Sequence, residues 1–158
     1  MICETCESVS LEKMRSACVP PVVPKILLAD DHEQMRQTIA SVLQDEFQIV
    51  GMAENGTQVI ELALSAHPDV MVLDISMPVV NGIETAIRVK ALGCPSKALF
   101  LTADDDSDFA EAAMSIGALG YVLKANLFTD LIPAIRCALA GCFYLSRAMR
   151  LPLRSIPG

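Results

Sequence analysis

The chain has 158 residues, 53% hydrophobic and 20% charged, enough to bury a full core in one domain and too apolar for a disordered chain. Twelve Lys and Arg against nineteen Asp and Glu leave a net charge of −7, which argues against a broad basic face for nucleic acid or an anionic membrane. No run reaches the ~20 apolar residues of a membrane span, and the N-terminus lacks the apolar stretch of a signal peptide, so a cytoplasmic chain is expected.

Residues 1–24 differ from the rest and end in Val19-Pro-Pro-Val-Val-Pro24, which can continue neither a helix nor a central strand. They read as a flexible extension with a Pro-rich linker. From Lys25 onward, short aliphatic runs alternate with segments of helical period. The strand candidates are Ile26–Ala29, Phe47–Met52, Val70–Leu73, Ala98–Leu101 and Gly120–Leu123, almost wholly apolar as strands covered on both faces should be. Between them, Met35, Ile39, Val42 and Leu43 form one amphipathic stripe, and Val59, Leu62, Ala63 and Ala66 a second. A shorter third helix, about Ile83 to Leu92, is entered through the turn signal Asn81-Gly82. Phe109, Ala112, Ala113 and Ile116 mark the fourth, stopped by Gly117. Leu131, Ile135, Ala138, Leu139 and Cys142 mark the last, weakened by Gly141. The expected fold class is α/β: a five-stranded parallel sheet with helices on both faces, spanning residues 25–145, with 146–158 left as a tail.

Six cysteines, Cys3, Cys6, Cys18, Cys94, Cys137 and Cys142, carry no secretory context, so a disulfide framework is not expected. Cys3 and Cys6 have zinc-like spacing without a second pair to complete a tetrahedral site. All six read more simply as small hydrophobes.

Polar residues fall at the ends of the strands. Asp30 and Asp31 follow the first, Asp74 the third, Thr102 the fourth and Lys124 the fifth. In an open parallel sheet these ends share one edge, where ligands bind. Each residue has a plain alternative: Asp31 with Gln34 makes a capping box, Asp30 a solvated loop position, Asp74 a strand end, Thr102 a turn, Lys124 a wet surface cation. Those alternatives explain the residues singly but not their convergence. Two carboxylates ~4 Å apart repel by roughly 4 kcal/mol at an effective dielectric near 20. One lysine offsets one charge, and the excess calls for a hard divalent cation, Mg²⁺ or its substitute Mn²⁺. A carboxylate beside that cation and a lysine can attack a phosphoryl group to form an aspartyl phosphate. Asp74 is the best-placed nucleophile, and Thr102 could hydrogen-bond a phosphoryl oxygen.

The segments ILLADDHEQMRQTIASVL, PDVMVLDISMPVVNGIETAIRVK, ALFLTADDD and GALGYVLKANLFTDLIPAIRCALAGCFYLS resemble the receiver domain of bacterial two-component response regulators, most nearly the NarL/FixJ (LuxR-type) subfamily. The resemblance covers about residues 25–145. It rests on an acidic pair, an Asp followed four residues later by Pro78 and then Asn81-Gly82, a Thr-Ala, and a Tyr-x-x-Lys, in that order. It implies a flavodoxin-like receiver with strand order 2-1-3-4-5. It also implies that Asp74 accepts a phosphoryl group from a sensor histidine kinase, and that Asp31, Asp30 through water, and the Ser76 carbonyl hold Mg²⁺. Lys124 would pair with the phosphoryl group, Thr102 would shift toward it, and Tyr121 would swing inward as a switch read by a downstream effector. Such a chain is not an enzyme beyond its own phosphorylation and dephosphorylation.

Two departures from the family pattern stand out: Ala125 where many members have Pro, and only 13 residues after Leu145 where LuxR-type regulators continue into a DNA-binding domain. Regulation of transcription would then run through a separate or missing domain, with no nucleic-acid or membrane contact by this chain. The apolar fifth helix leaves a phosphorylation-dependent homodimer open. Asp104, Asp105 and Asp106 read as a solvated loop with helix-capping charges, although Asp104 and Ser76 stand where the family tunes phosphoryl lifetime. Two alternatives are an aspartyl-phosphate phosphatase, which wants a general acid where Ser76 stands, and a receiver-like binding module with no phosphorylation.

Overall fold

The computed structural model describes residues 23–103 and 107–146. The expectations for the N-terminal extension up to residue 22, for Cys3, Cys6 and Cys18, for Asp104, Asp105 and Asp106, and for residues 147–158 lie outside them.

Five strands form where the apolar runs are: β1 Lys25–Ala29, β2 Gln48–Ala53, β3 Val70–Leu73, β4 Lys97–Thr102 and β5 Gly120–Leu123. Five helices connect and follow them: α1 Glu33–Leu43, α2 Gly56–Ala66, α3 Gly82–Ala91, α4 Ser107–Ser115 and α5 Leu127–Leu139, the last reached through a 3₁₀ turn, Lys124–Asn126. All pairings are parallel, in the order β2-β1-β3-β4-β5, with one more strand beyond β5. The additional strand is β6, Tyr144–Leu145, joined to β5 by hydrogen bonds from Tyr144 N–H to the Leu119 carbonyl and from Ser146 N–H to that of Tyr121. The five-stranded α/β core is as the sequence reading has it.

Because side chains alternate along a strand, each strand feeds two cores. Leu27, Met71, Leu73, Phe100 and Tyr121 pack with Val59 and Ala63 of α2, Ala86 and Val89 of α3, and Ala110 and Ala113 of α4. Ile26, Leu28, Val70, Val72, Leu99, Leu101 and Val122 pack with Ile39 and Leu43 of α1 and with Leu131, Ile135 and Ala138 of α5. The sheet is thereby covered on both faces.

Three details depart from the periodic reading. Phe109 is 36% exposed, because α4 turns its small residues Ala110 and Ala113 onto the sheet instead. Helix α5 ends at Leu139, and Gly141 takes a positive φ of 85°, so Cys142 is exposed beyond the helix rather than on its buried stripe. Only Cys94 of the three described cysteines is buried.

Candidate functional site

The ladder fixes how far each polar residue projects beyond the sheet. Ala53, Ala29, Leu73, Phe100, Tyr121 and Leu145 lie side by side across β2-β1-β3-β4-β5-β6. Asp30 and Asp74 are one residue past that row, Thr102 two and Lys124 three. At ~3.3 Å per residue, Lys124 begins well above the two carboxylates, and its long stem spans the gap. Its ammonium lies 2.6 Å from Asp30 Oδ2 and 3.2 Å from Asp74 Oδ2. The Asp74 contact is a hydrogen bond, and the shorter approach to Asp30 is an ion pair.

Asp30 and Asp74 are nearly inaccessible, 1% and 4% exposed, while Asp31 is open to solvent. Burial pushes the Asp74 carboxyl above the ordinary value of 3.8, and the charge of Asp30 adds to that. The Lys124 charge and the Ser76 amide, which donates to Asp74 Oδ1 at 3.1 Å, oppose the rise without cancelling it. Burial works against the Lys124 charge, but contact with Asp30 and the charge of Asp74 outweigh it, so its ammonium is held above 10.5.

The loop after β3 is shaped by close backbone contacts. Gly82 N–H donates to the Ile75 carbonyl at 2.9 Å, and Asn81 caps α3 by accepting the Glu84 amide at 2.8 Å. Asn81-Gly82 is thus a helix cap and a point of close approach more than a free turn. Val79 has φ 71°, and Val80 N–H donates to the Pro78 carbonyl at 2.8 Å, a γ-turn of a kind rare for a β-branched residue. Val79 is 81% exposed.

At the other loop, the capping box does not form. Helix α1 takes His32 as its N-cap, with Arg36 N–H donating to the His32 carbonyl at 3.0 Å and no side-chain cap. The reason is local: Asp30 Oδ1 accepts the His32 amide at 2.8 Å, so the chain turns into the helix one residue later than Asp31 would require. Arg36 also donates from its guanidinium to the Asp30 carbonyl at 2.6 Å. His32 is the residue the sequence reading passed over. Its Nδ1 is 3.0 Å from Asp31 Oδ1 and 3.3 Å from Asp30 Oδ1. Adjacency to the acidic pair was the available signal, but an exposed histidine is common enough to carry little by itself.

Asp30, Asp31, His32 and Asp74 each bring a ligand atom within 4.8 Å of the others, a group that could hold a metal ion. Three carboxylates against one ammonium leave a local negative excess, and oxygen donors suit a hard divalent cation. Thr102 is buried at the end of β4, paired with Leu123. Ser76 is exposed on the loop with its amide turned to Asp74. Tyr121 is wholly buried among the residues under α4, so its ring is inward in this structure.

Residues 26–136 match the response regulator receiver domain family. The chain is 35% identical over 126 residues to the nitrate/nitrite response regulator NarL of Escherichia coli K12, covering 78% of this chain and 58% of that protein. It is 33% identical over 135 residues to the response regulator GacA of Pseudomonas aeruginosa, covering 83% of this chain and 63% of that one. It therefore spans less than two-thirds of the length of either relative. A LuxR-family two-component response regulator from Aurantimonas superposes with a TM-score of 0.80 at 26% identity, over 85% of this chain and 98% of that one. With an acidic crevice and bridging lysine at the strand edge and a match over most of its length, the chain belongs to the response regulator receiver domain family.

Proposed function

We propose that Asp74 accepts a phosphoryl group and that the chain works as a phosphorylation switch in two-component signalling. The observation that carries this reading is the Lys124 ammonium held between two buried carboxylates, Asp30 and Asp74, in a group of acidic residues. A carboxylate that is buried, poised between a cation and a like charge, and reachable from the strand edge is suited to nucleophilic work.

In the reaction, an Asp74 oxygen attacks phosphorus, the bond from phosphorus to the donor nitrogen breaks, and the imidazole of the donor leaves with the electron pair. Asp74 Oδ1 keeps the Ser76 amide as partner, which orients the carboxylate, and Oδ2 is the oxygen left for attack as Lys124 moves off it. Asp30, Asp31, Asp74 and the Ser76 carbonyl would hold Mg²⁺, and the ion when bound supplies neutralising charge to the phosphoryl oxygens. Lys124 moves from its carboxylates toward those oxygens, and the Thr102 hydroxyl donates to one of them. With Thr102 so engaged, the inward ring of Tyr121 is the position favoured in the phosphorylated state.

The donor on this reading is a sensor histidine kinase and the reader is an effector domain or protein, with transcription as the output in a longer regulator. The net charge of −7 opposes direct nucleic-acid binding by this chain. Among the described residues, no helix is long and apolar enough to cross a membrane. Cytoplasmic placement belongs to the same reading. Turnover as a phosphatase is disfavoured because Ser76 offers no general acid at the loop. Borohydride reduction of the phosphorylated chain followed by peptide mass analysis tests the assignment: conversion at Asp74 supports it, and conversion at any other carboxylate overturns it.

A further inference from the structure

Leu123, the residue before Lys124, has its amide held by a side chain 23 residues further along the chain. Ser146 Oγ accepts the Leu123 N–H at 2.9 Å and donates to Asp130 Oδ2 at 3.0 Å. Asp130 Oδ1 also accepts the Tyr144 hydroxyl at 3.1 Å and the Thr129 hydroxyl at 3.3 Å. Ser146 is wholly buried and Asp130 is 7% exposed, so the two Ser146 bonds are shielded from water. A buried amide left without its acceptor is costly, and a hydrogen bond onto a carboxylate is stronger than one between neutral groups.

The placement is specific. Tyr144 N–H meets the Leu119 carbonyl and Ser146 N–H that of Tyr121, so the next parallel rung would take the Leu123 amide to the main-chain carbonyl of Ser146. The serine hydroxyl stands in for that carbonyl. It thereby joins Leu123, just before the 3₁₀ turn Lys124–Asn126, to Asp130 in the first turn of α5, just after it. One hydroxyl closes both ends of the segment that carries Lys124.

We infer that Ser146, oriented by Asp130, is a positioning residue for Lys124 in phosphoryl uptake. The inference rests on the proposed phosphoacceptor role of Asp74. The lysine stem is long and flexible, so where its ammonium meets the phosphoryl oxygens depends on where its backbone is anchored. Small misplacements of a group that acts in the transition state cost rate more than binding.

The test uses the full chain with Mg²⁺ and acetyl phosphate, measuring initial uptake across donor concentrations in folded protein. Ser146→Ala is expected to lower the limiting rate about tenfold while changing the half-saturating donor concentration little. On a Lys124→Ala background the same substitution is expected to add nothing, since the two act through one group. Asp130→Asn, which keeps the shape and an acceptor oxygen, is expected to lower the rate by about threefold. Should Ser146→Ala fail to fold, Asp130→Asn is carried through the same cycle and decides the matter. A folded Ser146→Ala with the wild-type rate, or a loss that persists in full without Lys124, overturns the inference. Uptake that continues in Asp74→Asn overturns the phosphoacceptor reading instead, so the two failures are distinct.

Discussion

Gly82 runs so close beneath Asp74 that a Cβ at position 82 would stand 2.4 Å from the Asp74 carbonyl oxygen. The next contacts are also backbone, Ile75 Cα at 2.9 Å and Asp74 C at 3.0 Å, so no flexible side chain can yield. Gly82→Ala is expected to cost about 1–3 kcal/mol and to push the β3 end outward. Urea unfolding gives the first effect, and slowed Mg²⁺-dependent phosphoryl uptake the second. Full stability with full uptake would show that the loop relaxes freely.

Val79 occupies a positive-φ turn in full view of solvent. A valine there carries strain that glycine does not, while glycine adds entropy to the unfolded chain. The strain outweighs the entropy for a β-branched residue, so Val79→Gly is expected to raise stability by about 1 kcal/mol. An unfolding midpoint lowered by the substitution would contradict the strained turn.

The raised Asp74 carboxyl fixes a pH dependence. Its folded form holds a proton more tightly than the unfolded chain, so the stability it contributes is full below 3.8 and lost as pH rises through the folded value. Asp74→Asn cannot ionise, and in chelator at neutral pH it is expected to be more stable than the wild type by about 1 kcal/mol. That gain should fade on acidification below 3.8. Chemical unfolding at the two pH values checks it, and a less stable Asn variant at neutral pH would contradict it.

Lys124 has the opposite effect at neutral pH. Its raised value means that its stabilising charge is intact below 10.5 and is lost only as pH rises through the folded value. Lys124→Ala leaves Asp30 and Asp74 buried without their cation, and a loss of about 3 kcal/mol is expected at neutral pH in chelator. Circular-dichroism unfolding measures it, and a loss near zero would place the ammonium elsewhere in solution.

Most of the sheet was legible because a parallel strand covered on both faces must be apolar throughout, and Val70–Leu73 and Gly120–Leu123 were bounded to the residue. Strand β6 was not, since two residues, Tyr144 and Leu145, are too short to show a period. The fourth helix misled because Phe109 is the largest apolar residue of its segment, yet the close sheet contact is made by alanines. At the site, strand-end positions alone brought Asp30, Asp74 and Lys124 together, and the structure places them in contact. What sequence spacing could not show was the sharing of Lys124 between Asp30 and Asp74, the failed cap at Asp31, or the closing of the Lys124 segment by Ser146. Each depends on side-chain direction across the sheet edge.

A bound divalent cation relieves the same carboxylate repulsion. Mg²⁺ at ~100 times its dissociation constant is expected to stabilise the wild type by about 2.7 kcal/mol, with much of that absent in Asp31→Asn. Thermal unfolding across a Mg²⁺ series reads it, and equal stabilisation of both proteins would place the ion away from the acidic pair.

The most direct measurement is intact mass after incubation with a small acyl phosphate, with and without Mg²⁺, beside Asp74→Asn. The expected result is one added phosphoryl group, dependent on Mg²⁺ and absent from Asp74→Asn. Addition that persists in Asp74→Asn, or no addition to folded wild-type protein from either the acyl phosphate or a phosphorylated histidine kinase, would contradict the account.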